Sequence, residues 1–190
     1  MQELTREQKI KLLKLARKTI YEALYKDKFD TAGFNEFADS IFKTKCGAFV
    51  TLHIRGALRG CIGYIEGIKP IPDTVIDMAK ASAFRDPRFM PLSQSEYEKI
   101  DIEISVLSPI EKVKVVSDIV VGRDGLIISN SGRQGLLLPQ VATENNWDLP
   151  RFLEHTCYKA GLAGDAWKWK DTVIEKFSAQ VFSEKELGLI

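Results

Sequence analysis

Long apolar runs are missing from this chain. No window reaches the roughly 18 apolar residues that a helix needs to cross a bilayer. The opening Met1-Gln2-Glu3-Leu4-Thr5-Arg6 has no apolar core of the kind a secretory signal carries. A cytoplasmic location without a membrane partner is therefore expected. Cysteine is scarce: Cys46, Cys61 and Cys157 are odd in number and far apart. That excludes a secreted disulfide scaffold and fits reduced thiols. An excess of either charge is also missing, with 27 Lys and Arg against 26 Asp and Glu. A nucleic-acid footprint shows as a basic excess, so nucleic acid is a poor candidate partner, although a local basic patch stays open. Histidine is limited to His53 and His155. Neither stands in a metal-binding spacing such as C-x-x-C or H-E-x-x-H, and no G-x-G-x-x-G or P-loop pattern occurs. No metal site is expected, and no cofactor is specified.

What is present is an ordinary globular composition, 45% hydrophobic and 28% charged over 190 residues. A chain this long buries about 70% of its unfolded surface and needs no disulfide or structural metal to fold. It suits one domain over residues 1–190, built as two lobes in one compact unit.

Residues 5 to about 26 read as an amphipathic helix, opened by a Thr5/Gln8 capping box and striped by Ile10, Leu13, Ala16, Ile20 and Leu24. Lys11, Lys14 and Lys18 fall on a face read as solvated. Lys26 to Phe34 is a loop, and a short helix is expected from Asn35 to Phe42. Cys46 to Ile54 and Leu58 to Ile65 read as a hairpin turning at Arg55-Gly56. Asp73 is placed as the cap of a helix from Thr74 to about Phe84, with Asp86-Pro87 beyond its end. Ser93 and Glu96 form a second capping box.

Asp101 to Leu107 is a strand whose Ile102, Ile104 and Val106 alternate with polar residues. Residues 113 to 121 are ambiguous. Arg123-Asp124-Gly125 reads as a turn, and Leu126 to Ser129 and Gly135 to Leu138 as a second hairpin. Helices from Pro139 to Asn145 and Pro150 to Lys159 come next, then a last strand from Thr172 to Val181. The expected fold is α+β: an antiparallel or mixed sheet covered by helices, two lobes with a cleft between them.

The most informative segment is Leu58-Arg59-Gly60-Cys61-Ile62-Gly63. Glycine weakens a strand, so two of them around a cysteine mark a bulge or a close approach by a ligand, a helix or a crossing strand. With a two-residue loop near Arg55 to Ala57, flush pairing puts Cys61 and Arg59 on the face of Val50, Leu52 and Ile54, with His53 opposite. A three-residue loop reverses this. Arg59 either borders a pocket that Cys61 lines, lowering the thiol pKa, or Cys61 is a small buried side chain. In Ala83-Phe84-Arg85-Asp86-Pro87-Arg88-Phe89 two arginines flank an aspartate. They either grip an anionic ligand or form a local ion pair.

Together these segments resemble the AMMECR family, whose prokaryotic members are called AmmeMemoRadiSam system protein A. The hexapeptide at Leu58–Gly63 is similar to the family signature. Asp86-Pro87-Arg88-Phe89 with Pro91-Leu92, Ile102 to Leu107, Leu138-Pro139-Gln140-Val141-Ala142 with Trp147, and Lys159-Ala160-Gly161 resemble its further segments in order. Two positions depart: Tyr64 stands where a small residue is usual, and Asp124 where histidine is common. The resemblance implies a two-lobed α+β fold with a cleft lined by the hexapeptide, and an association with Memo-type and radical SAM proteins. It implies no established reaction.

The functional expectation is a small-molecule site, catalytic or not, centred on Cys61. Cys61 is the candidate nucleophile or redox thiol and Glu103 the candidate acid or base. Arg59, Arg85 and Arg88, with Asp86 holding an arginine, are the candidates for orienting an anionic small molecule. The alternative is a non-enzymatic protein-interaction module, with nucleic-acid binding a distant third.

Overall fold

The computed structural model describes residues 2–26 and 37–190. The expected loop and the start of the helix expected from Asn35 lie, from residue 27 to 36, outside the described residues. The next element is a short 3-10 turn at Ser40–Lys43. The described chain is α+β, and it forms two compact units, Met1–Leu107 with Gln180–Ile190, and Ser108–Ala179.

In the first unit, helix α1 (Arg6–Tyr25) opens with the capping box read from sequence. The Thr5 hydroxyl accepts the Gln8 N–H at 3.3 Å, and Gln8 Oε1 accepts the Thr5 N–H at 3.0 Å. Leu13, Ala16 and Ile20 of the expected stripe are buried, joined by Leu12 and Leu15. Lys18 corrects the expectation of a solvated face: it is buried, with Nζ 3.9 Å from a Glu22 carboxylate oxygen. Its aliphatic stem covers apolar surface while the amine keeps a charged partner.

Strands β1 (Ala48–Ile54) and β2 (Ala57–Tyr64) form the first hairpin, and β1 pairs on its other side with β3 (Ile100–Leu107), both antiparallel. Helix α2 runs over Ile71–Phe84, starting earlier than expected. Pro70 is its N-cap and Pro72 lies in its first turn, where a missing N–H costs nothing; Asp73 lies inside that turn rather than capping it. Helices α1 and α2 share one apolar core with Val50, Leu52, Ile102 and Ile104, so these alternate strand residues define the covered face of the sheet. Helix α3 (Gln94–Tyr97) begins at the Ser93/Glu96 capping box. The C-terminal segment is tied in by Glu184, whose carboxylate accepts Arg17 Nε and Nη2 at 2.5 and 2.6 Å and the Ile102 N–H at 3.0 Å.

In the second unit, β5 (Asp124–Asn130) pairs with β6 (Arg133–Leu137) and with β7 (Val173–Ser183), which also pairs with the short β4 (Glu111–Lys112). All these pairings are antiparallel. Strand β7 crosses the boundary and leaves its last residues, from Gln180, in the first unit. Helices α4 (Pro139–Glu144) and α5 (Leu149–Lys159) come after the hairpin, and Asp148 caps α5 by accepting the Arg151 N–H at 3.0 Å. Their core includes Leu126, Ile128, Ala142, Phe152 and Leu153. Asp124 corrects the expected turn at 123–125. It is buried and opens β5, because its carboxylate is satisfied there by the Val120 N–H at 2.9 Å and the Arg123 guanidinium at 2.7 Å.

The two hairpins share a local device. Both hairpins turn on two residues with positive φ, Arg55-Gly56 and Ser131-Gly132. That is the tight turn whose twist matches antiparallel strands. In each returning strand one glycine meets helix backbone. A Cβ at Gly60 would overlap the Ser82 carbonyl of α2, and one at Gly135 the Ala160 N–H after α5.

Candidate functional site

The hairpin loop has the two residues assumed from sequence, since Ile54 pairs with Ala57. The side-chain parity is nevertheless reversed. The register shifts between Leu52 and His53: Leu52 faces Gly60 and His53 faces Leu58, which leaves Arg59 as an extra residue. A bulge of one residue moves everything beyond it to the other face. Cys61 therefore lies directly opposite Thr51, away from Val50 and Leu52. Thr51 in turn lies opposite Glu103. A thiol, a hydroxyl and a carboxylate thus form one row across three adjacent strands on the face away from α2. His53, two residues from Thr51 along β1, belongs to this same face rather than the opposite one.

The two glycines serve the fold. Gly60 lets α2 approach, and Gly63 takes the ring of Phe49, which lies across from it. The close approach suggested by their spacing is made by a helix backbone and an aromatic ring.

The aspartate and second arginine of Arg85-Asp86-Pro87-Arg88 hold the strand edge. Asp86 Oδ2 accepts the Cys61 N–H at 2.8 Å, and Arg88 Nη2 donates to the Cys61 carbonyl at 3.2 Å. These backbone groups point away from β1, so Thr51 and Cys61 form the pair type without mutual hydrogen bonds, in which side chains stand closest. The Thr51 hydroxyl accordingly donates to Cys61 Sγ at 3.2 Å. Asp86 also receives Arg88 Nε at 2.9 Å and Nη2 at 2.7 Å. The Arg88 hydrogen bonds hold its carboxyl far below the usual carboxylate range despite burial.

Arg59 is held by Glu96 of α3, through Nε at 2.8 Å and Nη2 at 3.1 Å, and donates to the Met90 carbonyl at 2.9 Å. The Phe89 ring lies 5.7 Å from the Arg59 guanidinium and 5.5 Å from that of Arg88. The Arg59 hydrogen bond lowers the Glu96 carboxyl to about 2. Arg85 differs from Arg59 and Arg88 in its pairing: it is exposed, and among the described residues its side chain has no carboxylate partner.

Burial pushes the Cys61 thiol above its ordinary value. The Thr51 hydroxyl and Arg88 oppose this, while Asp86 and Glu103 add to it. The resting group is a protonated thiol. Cys61 is half-buried, whereas Cys46 and Cys157 are fully buried, and burial pushes Cys46 up to about 11. A cavity of about 510 Å³ beside α1 and α2, lined among others by Leu15, Phe42 and Ile76, contains none of the expected site residues.

The geometry therefore joins Cys61, Asp86, Arg88 and Arg59 into one connected edge and sets Glu103 two strands away on the Cys61 row. Thr51 and Glu96 were not singled out from sequence as site residues. Glu96 was legible as a helix cap, but its second role needs the Arg59 bulge to exist.

A family model, AMMECR1, matches residues 13–182. The chain belongs to the AMMECR1 family. It is 43% identical to a protein of Methanothermobacter thermautotrophicus over 95% of this chain and 96% of that one. It is likewise 43% identical to a protein of Methanosarcina barkeri, over 92% and 89%. Among solved structures it is similar to an uncharacterized protein of Pyrococcus horikoshii, PH0010, with a TM-score of 0.82 and 40% identity over 92% of this chain and 90% of that one. Among the described residues of this AMMECR1-family chain, no helix is long and apolar enough to cross a membrane.

Proposed function

We propose that this AMMECR1-family protein binds a small molecule on the face of the β1–β2–β3 sheet away from α2, with the Cys61 thiol as the reacting group. In this reading it works alongside the Memo-type and radical SAM proteins that the family resemblance implies. The observation that carries the reading is the Thr51 hydroxyl donating to Cys61 Sγ at 3.2 Å. A cysteine that only fills space needs no donor on its sulfur, and a donor there favours the thiolate. Asp86 and Arg88 fix the Cys61 backbone, which supports a preorganised group rather than a loosely packed one.

Glu103, on the same row, is the acid or base at the far end of the bound molecule. Arg85 is the arginine left to meet an anionic group, because Arg59 and Arg88 are engaged with Glu96 and Asp86. The test is the melting temperature of the protein against a panel of anionic metabolites. A rise in the wild type that is lost in Cys61→Ala supports the reading; an equal rise in both contradicts it.

One observation favours the protein-interaction alternative. Met90 is 81% exposed and sits on the segment that Arg59 holds. Partner binding on that reading survives Cys61→Ala and weakens in Arg59→Ala.

A further inference from the structure

We infer that His53 is the proton acceptor for the Cys61 thiol, with Asp101 as its positioning residue; the inference rests on the thiol reading above and adds a catalytic group to it. The bulge at Arg59 is what makes it available. Without that extra residue, Cys61 and His53 would lie on opposite faces of the hairpin. With it, Cys61 pairs with Thr51, and His53 lies two residues along β1 on the same side.

Distance favours His53 over Glu103. His53 is a diagonal neighbour of Cys61 on the paired strand, a separation of roughly 7–8 Å between Cα atoms. Glu103 is two strands away, about 10 Å at the usual strand spacing. The sulfur's own hydrogen bonding adds a second argument. Thr51 is the donor to Sγ, so the S–H proton is left for an acceptor other than the Thr51 hydroxyl. A neutral imidazole is the side chain suited to take it near neutral pH. Asp101 lies directly across from His53 on β3. Its own carboxylate is anchored, with Oδ1 accepting the Lys185 N–H at 3.2 Å. A carboxylate directly across from an imidazole on the neighbouring strand is placed to orient the ring.

The step is balanced within the site. The Sγ–H proton passes to an imidazole nitrogen as sulfur forms a bond to an electrophilic carbon, and the displaced group leaves with the electrons of its bond. With iodoacetamide as the probe, the S–C bond forms, the C–I bond breaks and iodide departs.

The experiment is the pH profile of Cys61 carbamidomethylation in the folded protein, read at the Cys61 peptide by mass spectrometry from pH 5 to 9.5. The wild-type rate should rise with pH well below the range in which a free thiol ionises. His53→Gln should lose that limb and react at least about tenfold more slowly at pH 7. Free imidazole should restore the rate in His53→Ala. Asp101→Asn should slow the reaction at pH 7 less than His53→Gln does, because it frees the ring without removing the base, and it keeps the test open if the His53 variants fold poorly. Glu103→Gln tests the competing base, and it should slow the reaction less than His53→Gln does. The inference is overturned if His53→Gln overlays the wild type, or if Glu103→Gln removes the limb instead; the thiol reading then stands. Cys61 left unlabelled in every form overturns both.

Discussion

Asp86 accepts the backbone N–H of Cys61 at 2.8 Å, and through that bond a buried carboxylate replaces the neighbour that an edge strand lacks. Arg88 completes the replacement by donating to the Cys61 carbonyl. The cysteine is thus held from its backbone on one side and from its sulfur by Thr51 on the other.

Asp86→Ala should destabilise the protein by about 2–3 kcal/mol, since it removes charge-assisted hydrogen bonds and strands the Cys61 N–H. Arg88→Ala should cost less, because its side chain is half exposed. Urea titration of both variants measures this; equal losses would contradict the assignment of Asp86 as the anchor.

Stability should fall in acid by a route that Glu96 and Asp86 define. Both carboxyls are held below their ordinary values in the folded protein, by Arg59 and Arg88 respectively. A depressed carboxylate stabilises above its unfolded pKa and loses that contribution as pH falls through the folded one. For Glu96 the loss runs from about pH 4.5 down to about 2. Denaturant melts between pH 2 and 7 should show it, with a shallower acid limb and lower neutral-pH stability in Glu96→Gln. Parallel limbs in the two proteins would count against it.

The glycines separate by what they touch. Gly60→Ala should cost about 1–3 kcal/mol, because the added methyl meets the Ser82 carbonyl of α2 and neither backbone yields cheaply. The atoms nearest a Cβ at Gly63 belong to the Phe49 side chain rather than to backbone, so the cost of Gly63→Ala should be smaller. Thermal melts that rank them in the reverse order would contradict the packing described for β2.

Arg85→Ala should leave stability within about 0.5 kcal/mol of wild type, as an exposed side chain without a carboxylate partner does. It should also weaken the response to anionic ligands in thermal-shift assays. A loss of stability equal to that of Arg88→Ala would place Arg85 in the scaffold instead.

Much of the fold was legible because local signals suffice for it. The Thr5/Gln8 and Ser93/Glu96 capping boxes, the Arg55-Gly56 turn and the alternation of Ile102, Ile104 and Val106 each act within a few residues. The site was less legible because it depends on a bulge, which has no periodic signature. Arg59 leaves the ladder to reach Glu96 and Met90, both more than thirty residues away. That single irregularity moved Cys61 off the face of Val50 and Leu52 and onto the face of Thr51 and His53. Lys18 and Asp124 were misplaced for a related reason, since each is buried beside a charged partner that simple patterning does not weigh.

The most direct measurement is the relative alkylation rate of the three cysteines in the folded protein at neutral pH. Cys61 should be labelled while Cys46 and Cys157 stay protected, and its label should appear with no change in far-ultraviolet circular dichroism. Labelling of Cys61 no faster than of the two buried thiols would contradict a reactive centre on this face.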